Sequence, residues 1–311
     1  MALFLQRFVD GLSEGSVYAL IALGLVIIYR GTGHLNFAQG EMALFCTYCV
    51  YQFGEWGIPV LPAVMLGMVV GFVIGAATEV ALVRPVARKS LFAVFIVTIG
   101  LFQFLNWLDG AIWGGQQLPS SAMGSKQQKF PSLFPNESDD FFKVFGAAIR
   151  WQSLGVLVLV LGITGLLFLL FNHTKLGLAM RAVASNPDSA KLVGIRVGTV
   201  LMVSWGIAAA VGALGGAVYA SSTNAGGAVS QGLMFSVFIY GSAAATLGGF
   251  DSPGGAVVGG LTIGLVQNMV AGYADEWVGQ AMKVGVAFLV ILAVLLARPS
   301  GLFGTSKVER V

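Results

Sequence analysis

Two polar clusters interrupt an otherwise apolar chain, and each suggests binding or docking more than bond-making. The first is His34, Asn36, Gln39 and Glu41, set among glycines in YRGTGHLNFAQGEM. Asparagine and glutamine side chains both donate and accept hydrogen bonds, which suits a polar or zwitterionic solute. A lone histidine at such a place also serves as an ordinary hydrogen-bonded structural residue. The second is RAVASNPDSAKLVGIRV, residues 181–197. Asn186 is a good N-cap, Pro187 belongs at the first helical position, and Asp188 favours the positive end of the helix dipole. Gly194 supplies a left-handed stop. This spacing predicts a helix of about two turns over 187–193. So short a helix is unstable alone in water, so its packing comes from a partner protein or from the chain's own surface. Ala190, Leu192 and Val193 are its apolar set, with Arg181, Lys191 and Arg196 around them.

Other chemistries find little support. No Ser/His/Asp set, metal cluster or pair of carboxylates at a shared depth points to an intramembrane enzyme. Cys46 and Cys49 share a helix face without further ligands, and read as small packing residues. The phosphate-binding pattern G-x-x-x-x-G-K-[ST] is absent from the sequence, so any ATP hydrolysis belongs to another chain.

The elements that position these residues are membrane helices. Of 311 residues, 57% are hydrophobic and 10% charged, with a mean hydropathy of +0.85. A soluble domain is about a quarter charged, and the apolar runs exceed the ~18 residues that mark a spanning helix. The fold class is therefore all-α, one polytopic bundle of eight or nine spans over residues 1–311. Spans are expected at 8–29, 37–53, 59–83, 91–113, 151–172, 199–222, 231–249, 255–272 and 279–297. The N-terminal apolar run reads as a retained first helix, since neither a basic lead nor a small-residue cleavage site accompanies it.

Alternating these spans puts Arg30, Arg84, Arg88, Lys89, Lys175, Arg181, Lys191, Arg196, Arg298, Lys307 and Arg310 on one side. Arg7, Lys126, Lys129, Lys143 and Arg150 fall on the other, with Lys283 inside a span. The positive-inside rule makes the first side cytoplasmic, with the N-terminus outside and the C-terminus inside. The segment about 173–198 is then cytoplasmic, and 114–148 is a long outer loop. Glu79 lies about a turn from Arg84 and is placed to pair with it. Glu14 and Asp109 map toward the outer side. With no acid pair at a span midpoint, a proton-coupled carrier is disfavoured.

Glycines at four-residue steps (Gly67, Gly71 and Gly75; Gly212 and Gly216; Gly255 and Gly259; Gly260 and Gly264) signal close helix packing. LGLVIIYRGTGHLNFAQGEMALF and SAAATLGGFDSPGGAVVGGLTIG share a helix–glycine–helix pattern. They are either broken helices lining a wet cavity or plain cytoplasmic turns. Gln103, Asn106, Gln267 and Asn268 lie within spans, as path residues or as helix–helix hydrogen bonders.

Five stretches carry a resemblance over nearly the whole chain. GSVYALIALGLVIIYRGTGHLNFAQGE, TIGL at 98–101, MRAVASNPDSAKLVGI, GGFDSPGGAVVGG and RPSGLFG at 298–304 resemble, in order, the branched-chain amino acid permeases of ABC importers. Asp251 departs from the pattern, where a small or apolar residue is expected. The resemblance implies a bacterial cytoplasmic-membrane subunit that moves a branched-chain or related amino acid inward and is not itself an enzyme. It implies a homologous permease subunit, two ATP-binding subunits that hold ATP and magnesium, and an external solute-binding protein, with no nucleic acid or metal. Arg181, Asn186, Pro187, Asp188, Lys191, Leu192 and Gly194 would form the ATPase coupling segment. His34, Asn36, Phe37, Gln39, Thr98, Gln103, Gly248, Gly249 and Ser252 would line the substrate path. Urea, short amides and small carboxylates are the alternative solutes, and a stand-alone carrier or channel is the rival class.

Overall fold

The structure, a computed structural model, describes residues 1–87, 90–114, 118, 129–137, 139–222, 226–273, 283–298 and 301–304. Arg88, Lys89, Lys126, Lys307, Arg310 and the start of the last expected span lie outside the described residues.

Helix α1 (Ala2–Thr32) is the axis of an all-α bundle. Every residue from Gly15 to Ile28 is buried, as expected of a helix that is apolar on all sides. Around it stand α2 (Gln39–Glu55), α3 (Val60–Thr78), α4 (Leu91–Trp113), α5 (Trp151–His173), α8 (Val197–Ala220), α9 (Leu233–Gly248), α10 (Pro253–Tyr273) and α11 (Lys283–Ala297). Two short helices, α6 (Lys175–Ser185) and α7 (Pro187–Leu192), join α5 to α8. Among the described residues, six helices are long and apolar enough to cross a membrane. α2, α9 and α11 are shorter, at 17, 16 and 15 residues.

The glycine ladders are where backbones touch. A Cβ on Gly75 would lie 2.3 Å from the Trp205 carbonyl, and one on Gly71 would lie 2.9 Å from that of Ala209, so α3 lies flush on α8. Gly260 and Gly264 press on α1 at Ala19, Gly15 and Gly11, and Gly259 meets the Ala244 carbonyl on α9. Small residues let helices approach in this way where lipid supplies no hydrophobic drive. α3 runs on through a π-turn (Glu79–Val83) into Arg84–Ala87. Its wider winding brings residues five apart onto one face. The Arg84 guanidinium accordingly forms an ion pair with buried Glu79 and donates to the Gly198 carbonyl at 2.7 Å. The bond to Gly198 ties the continuation of α3 to the start of α8.

Two elements differ from expectation. The long connection after α4 ends in an antiparallel hairpin, β1 (Phe141–Val144) with β2 (Ala147–Arg150), so it runs to Arg150. Its turn residues Phe145 and Gly146 both have positive φ, 50° and 81°. The segment 173–198 holds two helices in place of one. The Thr174 hydroxyl caps α6 by accepting from the Gly177 amide at 3.0 Å. After α11, Leu302 and Phe303 donate backbone hydrogen bonds to the Leu247 and Gly248 carbonyls, at 2.8 and 3.2 Å.

Candidate functional sites at the two ends of the bundle

Arg30, Arg84, Arg181, Lys191, Arg196 and Arg298 gather at the end of the bundle where α1 finishes, and α7 projects from this basic end. The Asn186 side chain accepts from the Asp188 and Ser189 amides at 3.0 and 2.9 Å. At the other end, Gly194 has φ 86°. Its amide donates to the Lys191 carbonyl, and the Ile195 amide to that of Ala190, both at 3.0 Å. These paired bonds are a Schellman stop. The Lys191 ammonium, 2.8 Å from the Asp188 carboxylate, holds that carboxyl below its usual range by hydrogen bonding and charge.

The apolar set of α7 divides in two. Ala190 packs inward with Val183 and Val200, whereas Leu192 and Val193 are 89% and 75% exposed. Arg181 does not join this exposed tip. Its guanidinium donates to the Phe171 carbonyl at 2.6 Å and to Asn172 Oδ1 at 3.1 Å, tying α6 back to α5.

The two glycine-rich units adopt different conformations. After α1 the chain turns at Gly33, φ 71°, and folds back into the bundle. Gln39 Nε2 donates to the Ala208 carbonyl at 2.9 Å, about 16 Å along α8 from Val197 at 1.5 Å per residue. α2 therefore starts partway along α8 and runs on to the far end, as the helical part of a broken crossing. Asn36 and Gln39 are fully buried there. The Asn36 side chain accepts from the Ala38 amide at 3.0 Å and donates to Gln39 Oε1 at 3.2 Å, so both amides are used by the protein. Phe37 packs its ring edge on Phe95, 5.0 Å between centroids, and His34 is half-buried.

The second unit is a tight turn at the basic end, where Phe250 packs on Tyr29 at 5.0 Å, one turn from the end of α1. Gly248 and Gly249 are buried, and Ser252 Oγ caps α10 by accepting from the Gly255 amide at 3.0 Å. Asp251 is exposed, with its charge toward Arg30, which accounts for an acid in that turn. On α4, Thr98 is buried with its hydroxyl donated to the Phe95 carbonyl, and Gln103 is exposed. The expected path residues are thus split between the broken start of α2, the turn, and α4, where Thr98 is buried and Gln103 exposed.

Two polar groupings were not anticipated. Glu41 and Asp109, both buried, lie within electrostatic reach of each other and of Tyr48. Tyr48 stacks on Trp113, whose indole donates to Gln52 Oε1 at 3.2 Å, so the end of α4 lies beside the last turns of α2. The second grouping lies at the end where α1 begins. There Arg7, Asp10 and Glu14, at helical spacing on α1, face Arg150, Ser153 and Asn268 across a cleft of about 770 Å³. Glu14 Oε2 accepts from the Tyr18 hydroxyl at 3.3 Å and from Asn268 Nδ2 at 3.0 Å. The recurrence of ionisable residues at steps of three and four was the available signal, but the opposing helices could not be read from it.

A family model described as branched-chain amino acid transport system, permease component, matches residues 7–295. The high-affinity branched-chain amino acid transport system permease protein BraD of Pseudomonas aeruginosa is 29% identical, covering 99% of this chain and 98% of that one. LivH of Escherichia coli, of the same description, is 27% identical over 99% and 98%. Among solved structures, a chain of PsaBC from Streptococcus pneumoniae in complex with Fab aligns with TM-score 0.50 and 15% identity, covering 96% of this chain and 92% of that chain. That likeness is one of fold.

Proposed function

We propose, from the premise that this chain belongs to the branched-chain amino acid transport system permease family, that it is the membrane-spanning subunit of an ATP-driven importer of branched-chain or related amino acids. It works with a homologous permease subunit, two ATP-binding subunits that hold ATP and magnesium, and an external solute-binding protein. It sits in the bacterial cytoplasmic membrane, N-terminus outside and basic end in the cytoplasm.

The observation that carries the coupling role is α7. A six-residue helix capped at both ends presents Leu192 and Val193 to solvent beside basic residues. Unpacked apolar side chains on a rigid polar projection suit insertion into a partner's groove. Closure of the ATPases then moves α7, which passes the movement forward into α8 and back through α6 to α5 by way of Arg181. Rigid units rocking about a central site convert that movement into alternating access.

The test is reconstitution. Leucine uptake into liposomes carrying the permease pair should require the ATP-binding subunits and ATP, and urea or acetamide should not compete. Uptake at full rate without the ATP-binding subunits would make the chain a stand-alone carrier.

A further inference from the structure

At the basic end, a cleft of about 670 Å³ opens between α1, α5, α6 and the start of α10. Arg30, Arg181, Phe168, Phe171, Pro253 and Gly254 are among the residues that line it. Two guanidinium groups share this space, near enough for Arg30 to feel the charge of Arg181. Like charges brought together away from bulk water repel strongly unless an anion lies between them. Among the described residues, Asp251 is the acid within reach of Arg30, so one carboxylate stands against two cations and the net charge stays positive. Arg181 bonds through Nη1 to the Phe171 carbonyl and to Asn172 Oδ1. Both acceptors are neutral, and a guanidinium carries donors on two further nitrogens. The start of α10 adds the positive end of a helix dipole, and at Gly254 no atom lies within 4 Å of where a Cβ would stand.

The other wall is apolar and accessible. Phe171 is half-buried, and Phe168, about a turn further along α5 into the bundle, is 61% exposed. Leu161, Leu166 and Leu169 on the same helix are exposed as well, so this wall continues into an apolar surface at membrane depth. A free phosphate would use the basic rim alone, and a neutral lipid the apolar wall alone. An anionic phospholipid matches both, in the order in which headgroup and tail follow one another.

We propose that this cleft binds an anionic phospholipid from the leaflet at the basic end. Its phosphodiester lies between Arg30 and Arg181, and an acyl chain runs along Phe171 and Phe168. Basic pockets between membrane helices hold lipid headgroups by the same chemistry. The bound lipid bridges the central helix to α6, and so braces the arm that carries α7.

The test is lipid retention by the purified full chain in mild detergent, read by native mass spectrometry with equal amounts of dioleoyl phosphatidylglycerol and dioleoyl phosphatidylcholine. No transport is measured, so failure here is distinct from failure of the importer reading. The wild type should retain phosphatidylglycerol about tenfold over phosphatidylcholine, the scale of one charge-assisted hydrogen bond. Arg30→Gln should bring that ratio close to one, whereas Arg298→Gln, at the same end but outside the lining, should leave it unchanged. Gly254→Glu decides the matter even where Arg30→Gln fails to fold. It puts a carboxylate into open space in the first turn of α10, where an acid suits the dipole, and it should also abolish the preference. Equal retention of the two lipids by the wild type, or a preference that survives Gly254→Glu, overturns the assignment. Displacement of phosphatidylglycerol by millimolar inorganic phosphate overturns it too, and would make the cleft a site for a free anion.

Discussion

Replacing Gly194 with valine tests the mechanical link most directly. The residue sits at φ 86° with no atom within 4 Å of where a Cβ would stand, so crowding plays no part and the effect is conformational. An L-residue in the left-handed region costs about 1–2 kcal/mol, with β-branched residues faring worst. That shifts the local equilibrium away from the Schellman stop by a factor of roughly 5–30. The bonds at stake are Gly194 to Lys191 and Ile195 to Ala190, and without them Leu192 and Val193 are no longer held in one orientation. The bundle itself should insert and melt as the wild type does, because α7 contributes only Ala190 to buried packing. Gly194→Asn is the control, since asparagine tolerates the left-handed region. In reconstituted vesicles, Gly194→Val should hydrolyse ATP without matching leucine uptake, or lose the ATP-binding subunits on purification, while Gly194→Asn stays near wild type. Wild-type uptake with stoichiometric ATP-binding subunits in Gly194→Val would refute the coupling role.

Leu192→Glu places a charge on a side chain that is 89% exposed. It should leave thermal stability unchanged yet weaken copurification of the ATP-binding subunits, and unaltered copurification would mean that this face is not the docking surface. Single cysteines at Ser189 and Ser132 should react with impermeant reagents from opposite faces of the membrane, Ser132 from outside, and labelling of both from one face would invert the topology. Asn36→Leu strips partners from the buried Ala38 amide and Gln39 Oε1. It should destabilise the protein by about 1–3 kcal/mol, read as a lower Tm. An unchanged Tm alongside lost uptake would place Asn36 in the solute path instead.

Local signals and long-range contacts differed in how much of them could be read from sequence. The bounds of α7 follow from Asn186, Pro187 and Gly194 alone, because capping is decided within a few residues. The glycine ladders announced close packing, but their partners are set by the tertiary arrangement. The broken start of α2 was one of two readings, because a glycine-rich turn at a membrane surface has the same composition as one at mid-depth. The hairpin was missed since its turn puts Phe145 at positive φ, against its own preference, and α6 was missed within a segment read for a single helix. The cleft on α1 needed Arg150 and Asn268, which stand 136 and 254 residues beyond Glu14 in the chain.

The contact between the segment after α11 and the end of α9 bears on biogenesis. Helices enter the bilayer in the order of synthesis, so α9 arrives with the Leu247 and Gly248 carbonyls unclaimed. Those acceptors are filled only when Leu302 and Phe303 emerge, after α10 and α11 have been threaded. Gly301, whose Cβ would meet the Thr246 carbonyl at 2.6 Å, leaves no room for another residue at that crossing. Closure of this end of the bundle is thereby deferred until the segment that follows α11 has been made. A nascent chain stopped before residue 301 would leave the last carbonyls of α9 without these two donors.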